Sequence, residues 1–322
     1  MKANDADLVR FRRKSYTILV NDSSNSTTHQ GGDFVRTEVH QSDRQRGTAE
    51  TVGGFSSVAT GPESSLARQL PVQGGSKRFA PKPDGRALMV ICAYNENVKL
   101  SNTLSRFPKR SERDYDVLVV DDGSTDGSIE SIDTGEFLVH RLGACIGVGA
   151  AIRKAIRIAQ ERDYHVIMFM AGNDKDRPAE IPRILDPVRN QGFALVQGSR
   201  YLPGGDFGNM PIYRRITTQF VHPLLFSLAV RKRLTDTTNG FRAIHLGVFD
   251  DPAIDIDQPW LDQYEMEVYL RFEVVRLGYL HGEVPCTKIY PPKKLGITKM
   301  KPITGWWSIL RPIFLLGLGL RR

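Results

Sequence analysis

The sequence predicts an α/β fold with a mostly parallel sheet and helices on both faces. Two observations lead to this prediction. Between residues 86 and 200, short apolar runs of strand length alternate with segments whose apolar residues recur at helical spacing. The runs are apolar throughout, which is typical of strands buried on both faces of a parallel sheet. We therefore expect this region to form a nucleotide-binding type of α/β unit.

The elements follow one another in a regular order. The predicted strands cover residues 87–93, 115–120, 137–140, 166–170 and 193–197, and helical spacing covers 98–107 and 148–159. Beyond residue 201 the pattern predicts helices over 212–230 and 260–277, a strand-like segment over 279–289, and a short amphipathic segment over 303–320 that Arg311 and Pro312 interrupt.

Composition divides the 322 residues into three regions. Residues 1–84 are rich in Ser, Thr, Gly, Gln and Arg without a sustained period, and we predict a disordered extension there. Residues 85–290 form the predicted catalytic domain. Residues 291–322 form a predicted basic, amphipathic tail that associates with membranes.

The net charge of +8 favours an anionic partner. From residue 284 to 322 there are eight Lys or Arg and no acid, interleaved with Trp306, Trp307 and aliphatic residues. This mixture suits a lipid headgroup layer better than nucleic acid. We therefore predict a membrane-surface partner and no nucleic-acid partner, with Lys288, Lys293 and Lys294 as surface charges that face lipid.

Signals for compartment and membrane spanning are absent from the sequence. The start has no apolar core like that of a secretory signal, and no stretch reaches about 18 apolar residues. Cys92, Cys145 and Cys286 form no CxxC pair and are typical of free thiols in a reducing compartment. The expected location is the cytoplasmic side of a membrane, as a peripheral protein.

Acidic residues follow three of the predicted strands: Glu96, then Asp121 and Asp122, then Asp174 and Asp176. Ligands of open α/β sheets bind outside the carboxyl ends of the strands. Carboxylates gathered there repel one another unless a cation or hydrogen-bond donors lie among them, and Mg²⁺ or Mn²⁺ with a nucleotide would meet that need. The alternatives are an Asx turn at Asp121 and Asp122 and a solvated loop at Asp174 and Asp176.

Five motifs between residues 86 and 300 resemble the inverting family-two glycosyltransferases of A-type fold, most of all the dolichol-phosphate mannosyltransferase and polyprenyl-phosphate glycosyltransferase subgroup. They are Cys92-Ala93-Tyr94-Asn95-Glu96, Val119-Val120-Asp121-Asp122-Gly123-Ser124, Gly147-x-Gly149-Ala150, Gly198-Ser199-Arg200-Tyr201 and Thr238-Asn239-Gly240-Phe241-Arg242.

The resemblance implies a nucleotide-sugar site, whose predicted members are Ala93, Tyr94, Asn95, Glu96, Asp121, Asp122, Gly123, Asn173 and Lys299. It also implies that Asp174 and Asp176 bind Mg²⁺ or Mn²⁺ against the diphosphate. The register set by Pro178 departs from the family pattern, because it puts Gly172 where the first metal-binding Asp belongs. Asp176 falls where relatives often have Gln.

Four arginines are predicted to contact phosphate. Arg200 is a predicted catalytic residue together with Asp174, Asp176 and Asp236, whereas Arg214, Arg215 and Arg242 are predicted to bind the acceptor phosphate. The alternative for Arg200, Arg214 or Arg215 is an ordinary cation at a membrane-facing helix. The alternative for Arg242 is an ion pair with one of the acids Asp236, Glu265 and Glu267.

The general base is the least defined part of the prediction. Asp236, Glu265 and Glu267 are candidates by resemblance. A lipid phosphate is largely deprotonated at neutral pH, however, and needs positioning and charge neutralisation more than a base. Asp236 then binds the acceptor region or forms a turn.

The sequence thus predicts a glycosyltransferase that moves a sugar, with inversion, from a UDP- or GDP-sugar to a polyprenyl phosphate. One alternative is the same fold acting on a hydroxyl of a glycolipid or polysaccharide, which needs a true base. The other is an inactive membrane protein that binds nucleotide sugars, an alternative motivated by Gly172.

Overall fold

A computed structural model describes residues 72–292 and 304–322. Most of the predicted N-terminal extension, and the predicted roles of Lys293, Lys294 and Lys299, lie outside the described residues.

Eight strands form one mixed sheet at the centre of the described chain. They are β1 (Val72–Gly74), β2 (Ala87–Ala93), β3 (Asp116–Asp121), β4 (Leu138–Arg141), β5 (Val166–Ala171), β6 (Leu195–Ser199), β7 (Arg242–His245) and β8 (His281–Pro285). The order across the sheet is β1-β8-β6-β7-β5-β2-β3-β4. Strands β7 and β1 are antiparallel to their neighbours, and the remaining strands run in one direction.

Helices cover both faces of this sheet. The α-helices are α1 (Val98–Leu104), α2 (Val148–Glu161), α3 (Ile181–Asn190), α4 (Ile212–Ile216), α5 (His222–Val230), α6 (Glu265–Arg276) and α7 (Thr304–Gly317). A π-helical turn, Thr217–Val221, joins α4 to α5. Apolar side chains of α1 and α3 pack in one core cluster, and those of α2, α5, α6 and α7 pack in another. The prediction of a mostly parallel sheet covered on both faces is confirmed.

Strand β7 was not predicted from the sequence. Its four residues include Arg242 and His245, so the segment lacks the apolar run that marks the other inner strands. It lies between β5 and β6 and is antiparallel to both. The loop that enters β7 therefore lies at the same sheet edge as the carboxyl ends of β5 and β6.

Described residues before the domain boundary predicted at residue 84 pack against the sheet. Strand β1 pairs with β8, and the ring of Phe79 stacks on His245 with centroids 3.9 Å apart. Phe79 also stacks on Tyr279. Residues 72–84 thus contribute to the sheet and its packing.

The C-terminal helix α7 differs from its prediction in two ways. It continues through Pro312, and it buries Ile309, Ile313 and Leu316 in a core cluster. Trp306 packs partly against that cluster, whereas Trp307 is 58% exposed. The helix therefore belongs to the folded domain as well as presenting an outer face. Among the described residues, no helix has the length and apolar character needed to cross a membrane.

Candidate active site

The predicted site lies where four parallel strands end and one antiparallel strand begins. The register pairs Ala93 of β2 with Asp121 of β3, and Cys92 of β2 with Ala171 of β5. The polar residues that follow β2, β3 and β5 therefore leave the sheet side by side. The end of β6 and the loop before β7 complete this edge.

The turns after β2 and β3 are joined by hydrogen bonds. The amide of Asn95 donates to Ser124 Oγ at 2.9 Å, and Asn95 Oδ1 accepts from the amide of Thr125 at 2.8 Å. Asp121 Oδ1 accepts from the amide of Ser124 at 2.8 Å, which lies three residues on rather than the two of an Asx turn. Asn95 has φ 47°, a left-handed conformation that asparagine tolerates better than most residues. The predicted base- and ribose-binding segments thus form one preorganised unit.

Asp122 organises the start of α2. Its carboxylate accepts hydrogen bonds from the amides of Ile146 at 2.8 Å and of Gly147 at 3.0 and 3.1 Å. The neighbouring Gly123 has φ 80°, and a Cβ there would lie 2.6 Å from the carbonyl carbon of Ala144. Glycine is therefore required where these two loops meet. The side chain of Asp122 fixes the loop that borders the site.

Asp174 is directed at α1. Its Oδ1 lies 2.7 Å from the guanidinium of Arg106, and its Oδ2 accepts from Asn102 at 3.0 Å. Its amide donates to Thr103 Oγ1 at 3.1 Å, and its φ is 63°. A left-handed backbone conformation at a residue other than glycine needs support from its surroundings. The contacts with Arg106, Asn102 and Thr103 provide that support. The predicted metal ligand is thus already paired with a cation of the chain.

Gly172 lies against apolar side chains. A Cβ at this position would come within 2.9 Å of Leu100 Cδ1 and 3.3 Å of Ile91 Cγ2. An aspartate at residue 172 would therefore require the end of the Leu100 side chain to shift within the packing between β2 and α1. Glycine lets these two elements pack without that shift.

Asp176 pairs with Lys288. The carboxylate is 1% exposed, and its Oδ1 lies 2.5 Å from Lys288 Nζ. Lys288 Nζ also donates to Asn239 Oδ1 at 3.1 Å. The prediction that Lys288 faces lipid is wrong, because its side chain is buried beside the end of β5. The segment after β8 folds back over this edge, where the amide of Ile289 donates to the carbonyl of Lys175 at 3.0 Å.

Lys175, between the two acids, is also buried. Burial, together with the nearby charges of Lys288 and Arg214, lowers the pKa of its ammonium group to about 7, although Asp176 opposes the shift. Its Nζ lies 4.6 Å from the ring centroid of Tyr290, and the guanidinium of Arg214 lies 5.7 Å from the same centroid. Lys175 is not among the predicted site residues, although its place between Asp174 and Asp176 in the sequence could have indicated it.

Arg200 and Asp236 form a fully buried ion pair. Arg200 Nε lies 2.6 Å from Asp236 Oδ2, and its Nη2 donates to Asp236 Oδ1 at 2.7 Å and to Thr238 Oγ1 at 2.6 Å. Burial alone would raise the pKa of Asp236, but the charge and hydrogen bonds of Arg200 hold that pKa below its usual value. Asp236 is therefore a carboxylate committed to orienting Arg200 and the loop before β7.

A second buried pair supports the first. Arg271 of α6 lies 2.6 Å from Glu283 of β8, and it also donates to the carbonyl of Asp236. Glu283 in turn accepts from the amides of Thr235 at 2.8 Å and of Asp236 at 3.1 Å. No local sequence pattern predicts this network, because its members come from distant segments.

The remaining candidates are engaged within the protein. Arg242 is 4% exposed and pairs with Glu267 at 2.9 Å, and Glu265 pairs with Arg311 at 2.7 Å. Arg215 reaches outward, with its guanidinium 4.6 Å from the ring of Phe207. Tyr94 is 37% exposed at the end of β2, and the Oδ1 atom of Asn173 is buried without a hydrogen bond. Neither glutamate is placed as an unengaged base.

The residues at this edge do not fit a divalent metal. Asp174 and Asp176 each pair with a cation of the chain, and the residue between them is a lysine. Within residues 72–292 and 304–322, no three His, Cys, Asp or Glu side chains are grouped in a way that could hold a metal ion. We therefore derive no step through a metal from these residues.

The fold and the motifs agree with comparisons to known proteins. The chain is 34% identical over 221 residues to an undecaprenyl-phosphate mannosyltransferase of Micrococcus luteus, an alignment covering 67% of this chain and 87% of the relative. It is 29% identical over 225 residues to a polyprenol monophosphomannose synthase of Mycolicibacterium smegmatis, covering 68% and 82% respectively.

A solved structure has the same A-type fold. Glucosyl-3-phosphoglycerate synthase from Mycobacterium tuberculosis, crystallised with Mn²⁺, UDP and glucosyl-3-phosphoglycerate, aligns with a TM-score of 0.53 at 17% identity, over 77% of this chain and 87% of that one. Residues 89–252 match the profile of glycosyl transferase family 2. The chain therefore belongs to glycosyl transferase family 2.

Proposed function

We propose that this protein transfers a sugar from a UDP- or GDP-sugar to a polyprenyl phosphate with inversion at the anomeric carbon. The observation that carries the proposal is the 34% identity to an undecaprenyl-phosphate mannosyltransferase across 87% of that relative. The 29% identity to a polyprenol monophosphomannose synthase supports it independently.

The proposed reaction is a single in-line displacement. An oxygen of the acceptor phosphate attacks the anomeric carbon, while the bond from that carbon to the diphosphate oxygen breaks and its electron pair leaves with the nucleoside diphosphate. The acceptor phosphate carries its negative charge already at neutral pH, so no base has to remove a proton. The chain's task is to position two anions and neutralise their charge.

The described residues support these roles. The joined turns after β2 and β3 offer Tyr94, Asn95 and Asp121 to the base and ribose of the donor. Arg214 and Arg215 begin an apolar helical segment and offer guanidinium groups to the acceptor phosphate near the lipid. Arg200, held by Asp236, keeps a fixed positive charge at the end of β6.

Transfer to a hydroxyl acceptor is the weaker candidate function. That reaction needs a carboxylate able to accept a proton. Asp236, Glu265 and Glu267 each pair with an arginine, at 2.6, 2.7 and 2.9 Å. Burial alone would raise the pKa of Asp236, but the charge of Arg200 holds that pKa below its usual value. Burial raises the pKa of Glu265 despite Arg311. Because each of the three carboxylates is already held by an arginine of the chain, their placement favours the phosphate acceptor.

A membrane surface is the proposed place of reaction, because the acceptor is a lipid. Support comes from the exposed apolar side chains along α4, the π-helical turn and α5, with cations at both ends. The cytoplasmic side remains part of this proposal.

Divalent-metal dependence stays a prediction of the sequence. The Mn²⁺ and UDP in the glucosyl-3-phosphoglycerate synthase structure belong to that protein. The ion pairs of Asp174 and Asp176 argue against the same arrangement in this chain.

The test is a transfer assay with the full chain in detergent. A panel of radiolabelled UDP- and GDP-sugars is offered to a polyprenyl phosphate, and label in the extracted lipid is measured. We expect one donor to transfer its label to the polyprenyl phosphate. The corresponding unphosphorylated polyprenol is the control and should stay unlabelled. If the polyprenol is labelled at an equal rate, the result supports a hydroxyl acceptor. If nucleotide sugars bind but no label is transferred, the result supports the inactive alternative.

A further inference from the structure

The acids at the strand ends already have cationic partners. Asp174 pairs with Arg106, Asp176 with Lys288, and Glu96 with Lys99 at 2.8 Å. A divalent ion would have to displace these partners to obtain carboxylate ligands, and the displaced cations would remain beside it. The site is therefore poorly arranged for a metal, because of the residues it contains.

Two further basic side chains lie beside these pairs. Lys175 and Arg214 converge on the ring of Tyr290, at 4.6 and 5.7 Å from its centroid. Both come from segments next to the end of β5, where the acids already have cationic partners. Basic side chains at this place complement a diphosphate better than they do a divalent cation.

The placement of Lys175 is fixed by the fold. Its carbonyl accepts from the amide of Ile289 at 3.0 Å, and the next residue, Asp176, is in a β-bridge with Lys288. Lys175 is 7% exposed and Lys288 is 8% exposed. The segment after β8 thus holds both lysines at the end of β5, which is where the sequence pattern of the family would put the metal.

We propose that Lys175, with the Asp176–Lys288 pair behind it, binds the donor diphosphate in place of a divalent metal, while Arg214 beside it keeps its proposed role toward the acceptor phosphate. The inference rests on the proposed function, since it concerns the donor of that reaction. When the sugar–oxygen bond breaks, the electron pair passes to the diphosphate oxygen, and the lysine ammonium neutralises the charge that develops there. Donor binding and sugar transfer then need no added metal.

The first measurement is binding of UDP and GDP to the full chain by calorimetry, in EDTA and in Mn²⁺. We expect one of the two nucleotides to bind, and its dissociation constants in EDTA and in Mn²⁺ should agree within about threefold. This is less than the tenfold difference that corresponds to about 1.4 kcal/mol. Binding that requires Mn²⁺ overturns the inference and leaves the proposed function intact. Binding in EDTA without lipid labelling in the transfer assay supports the inference while the proposed function fails. If neither nucleotide binds in either buffer, both are overturned.

The second measurement identifies the cation. In Lys175→Met, which keeps the length and apolar stem of the side chain, we expect nucleotide affinity in EDTA to fall roughly tenfold to hundredfold, the loss of one charge-assisted contact. Lys175→Arg should keep most of the affinity. The matched control is Lys109→Met, an exposed lysine in the loop that enters β3 at the opposite sheet edge. Equal affinity of Lys175→Met and Lys109→Met, with both folded by circular dichroism, overturns the assignment to Lys175.

Discussion

At the scale of single residues, the site is defined by the ion pairs between its charged side chains. Asp236 is fully buried and accepts hydrogen bonds from the side chain and the amide of Arg200. Removing one partner of such a pair leaves an uncompensated buried charge, which is costly. The role of Asp236 is therefore to hold Arg200 in place, and its substitution should affect stability as well as transfer.

Asp236→Asn should lower the free energy of unfolding by about 3–5 kcal/mol, because Arg200 loses its buried counter-charge. Thr238→Val, which removes one hydrogen bond to the same guanidinium, should cost about 1–3 kcal/mol. Asp206→Asn, at an exposed acid of the same edge, is the control and should change little. Urea denaturation measures all three, and equal stability of Asp236→Asn and Asp206→Asn would contradict the positioning role.

At the scale of elements, the helical segment 212–230 has an exposed apolar stripe. Ile212, Ile216, Phe220, Leu224 and Leu228 recur every four positions and are 50–78% exposed. The π-helical turn lies in the middle of this stripe. Arg214 and Arg215 lie near the start of the stripe, and Arg231, Lys232 and Arg233 follow it. The segment thus combines apolar and cationic groups as interfacial helices do.

Phe220→Ser combined with Leu224→Ser should weaken binding to vesicles that contain phosphatidylglycerol by roughly tenfold or more, because two exposed apolar side chains no longer enter the lipid. Val98→Ser, at a 50% exposed position on α1, is the matched control. Co-sedimentation with vesicles gives the measurement. Undiminished binding of the double variant would mean that this stripe is not the membrane contact.

The elements were more predictable from sequence than the contacts between side chains. Strands β2, β3 and β5 are continuous apolar runs, so local composition was sufficient to locate them. Strand β7 begins with a charged residue, and it is a strand because it pairs with β5 and β6. No local sequence pattern reveals that pairing. The ion pairs Asp174–Arg106 and Asp176–Lys288 join residues 68 and 112 positions apart, and they depend on packing that the motifs do not encode.

At the scale of the whole molecule, one histidine joins three parts of the chain. His222 of α5 lies 2.6 Å from Thr237 Oγ1 and 3.1 Å from the carbonyl oxygen of Ile309 in α7. The carbonyl can only accept, so Nε2 carries the proton and Nδ1 accepts from the threonine hydroxyl. Burial lowers the pKa of this imidazole to about 4, although the hydrogen bond to Ile309 opposes the shift. The neutral ring thus connects α7 to the loop before β7.

His222 should make stability dependent on pH. Its pKa is lower in the folded state than the ordinary 6.5, so the unfolded chain takes up a proton first, and stability falls as pH drops from about 6.5 to about 4. His222→Gln should lose about 1–3 kcal/mol at pH 7.5 and a smaller amount relative to wild type at pH 5. Denaturation at both pH values tests this, with His165→Gln as the control. A constant difference between the two pH values would exclude the linkage.

The pairing of β1 with β8 has a practical consequence for shortening the chain. A polypeptide that began at residue 85 would leave β8 as an edge strand with unpaired amides and carbonyls, and it would uncover the His245 and Tyr279 rings that Phe79 now covers. Open edges of this kind recruit strands from other molecules and promote aggregation. Any truncation intended to yield well-behaved protein should therefore remove residues only before Val72.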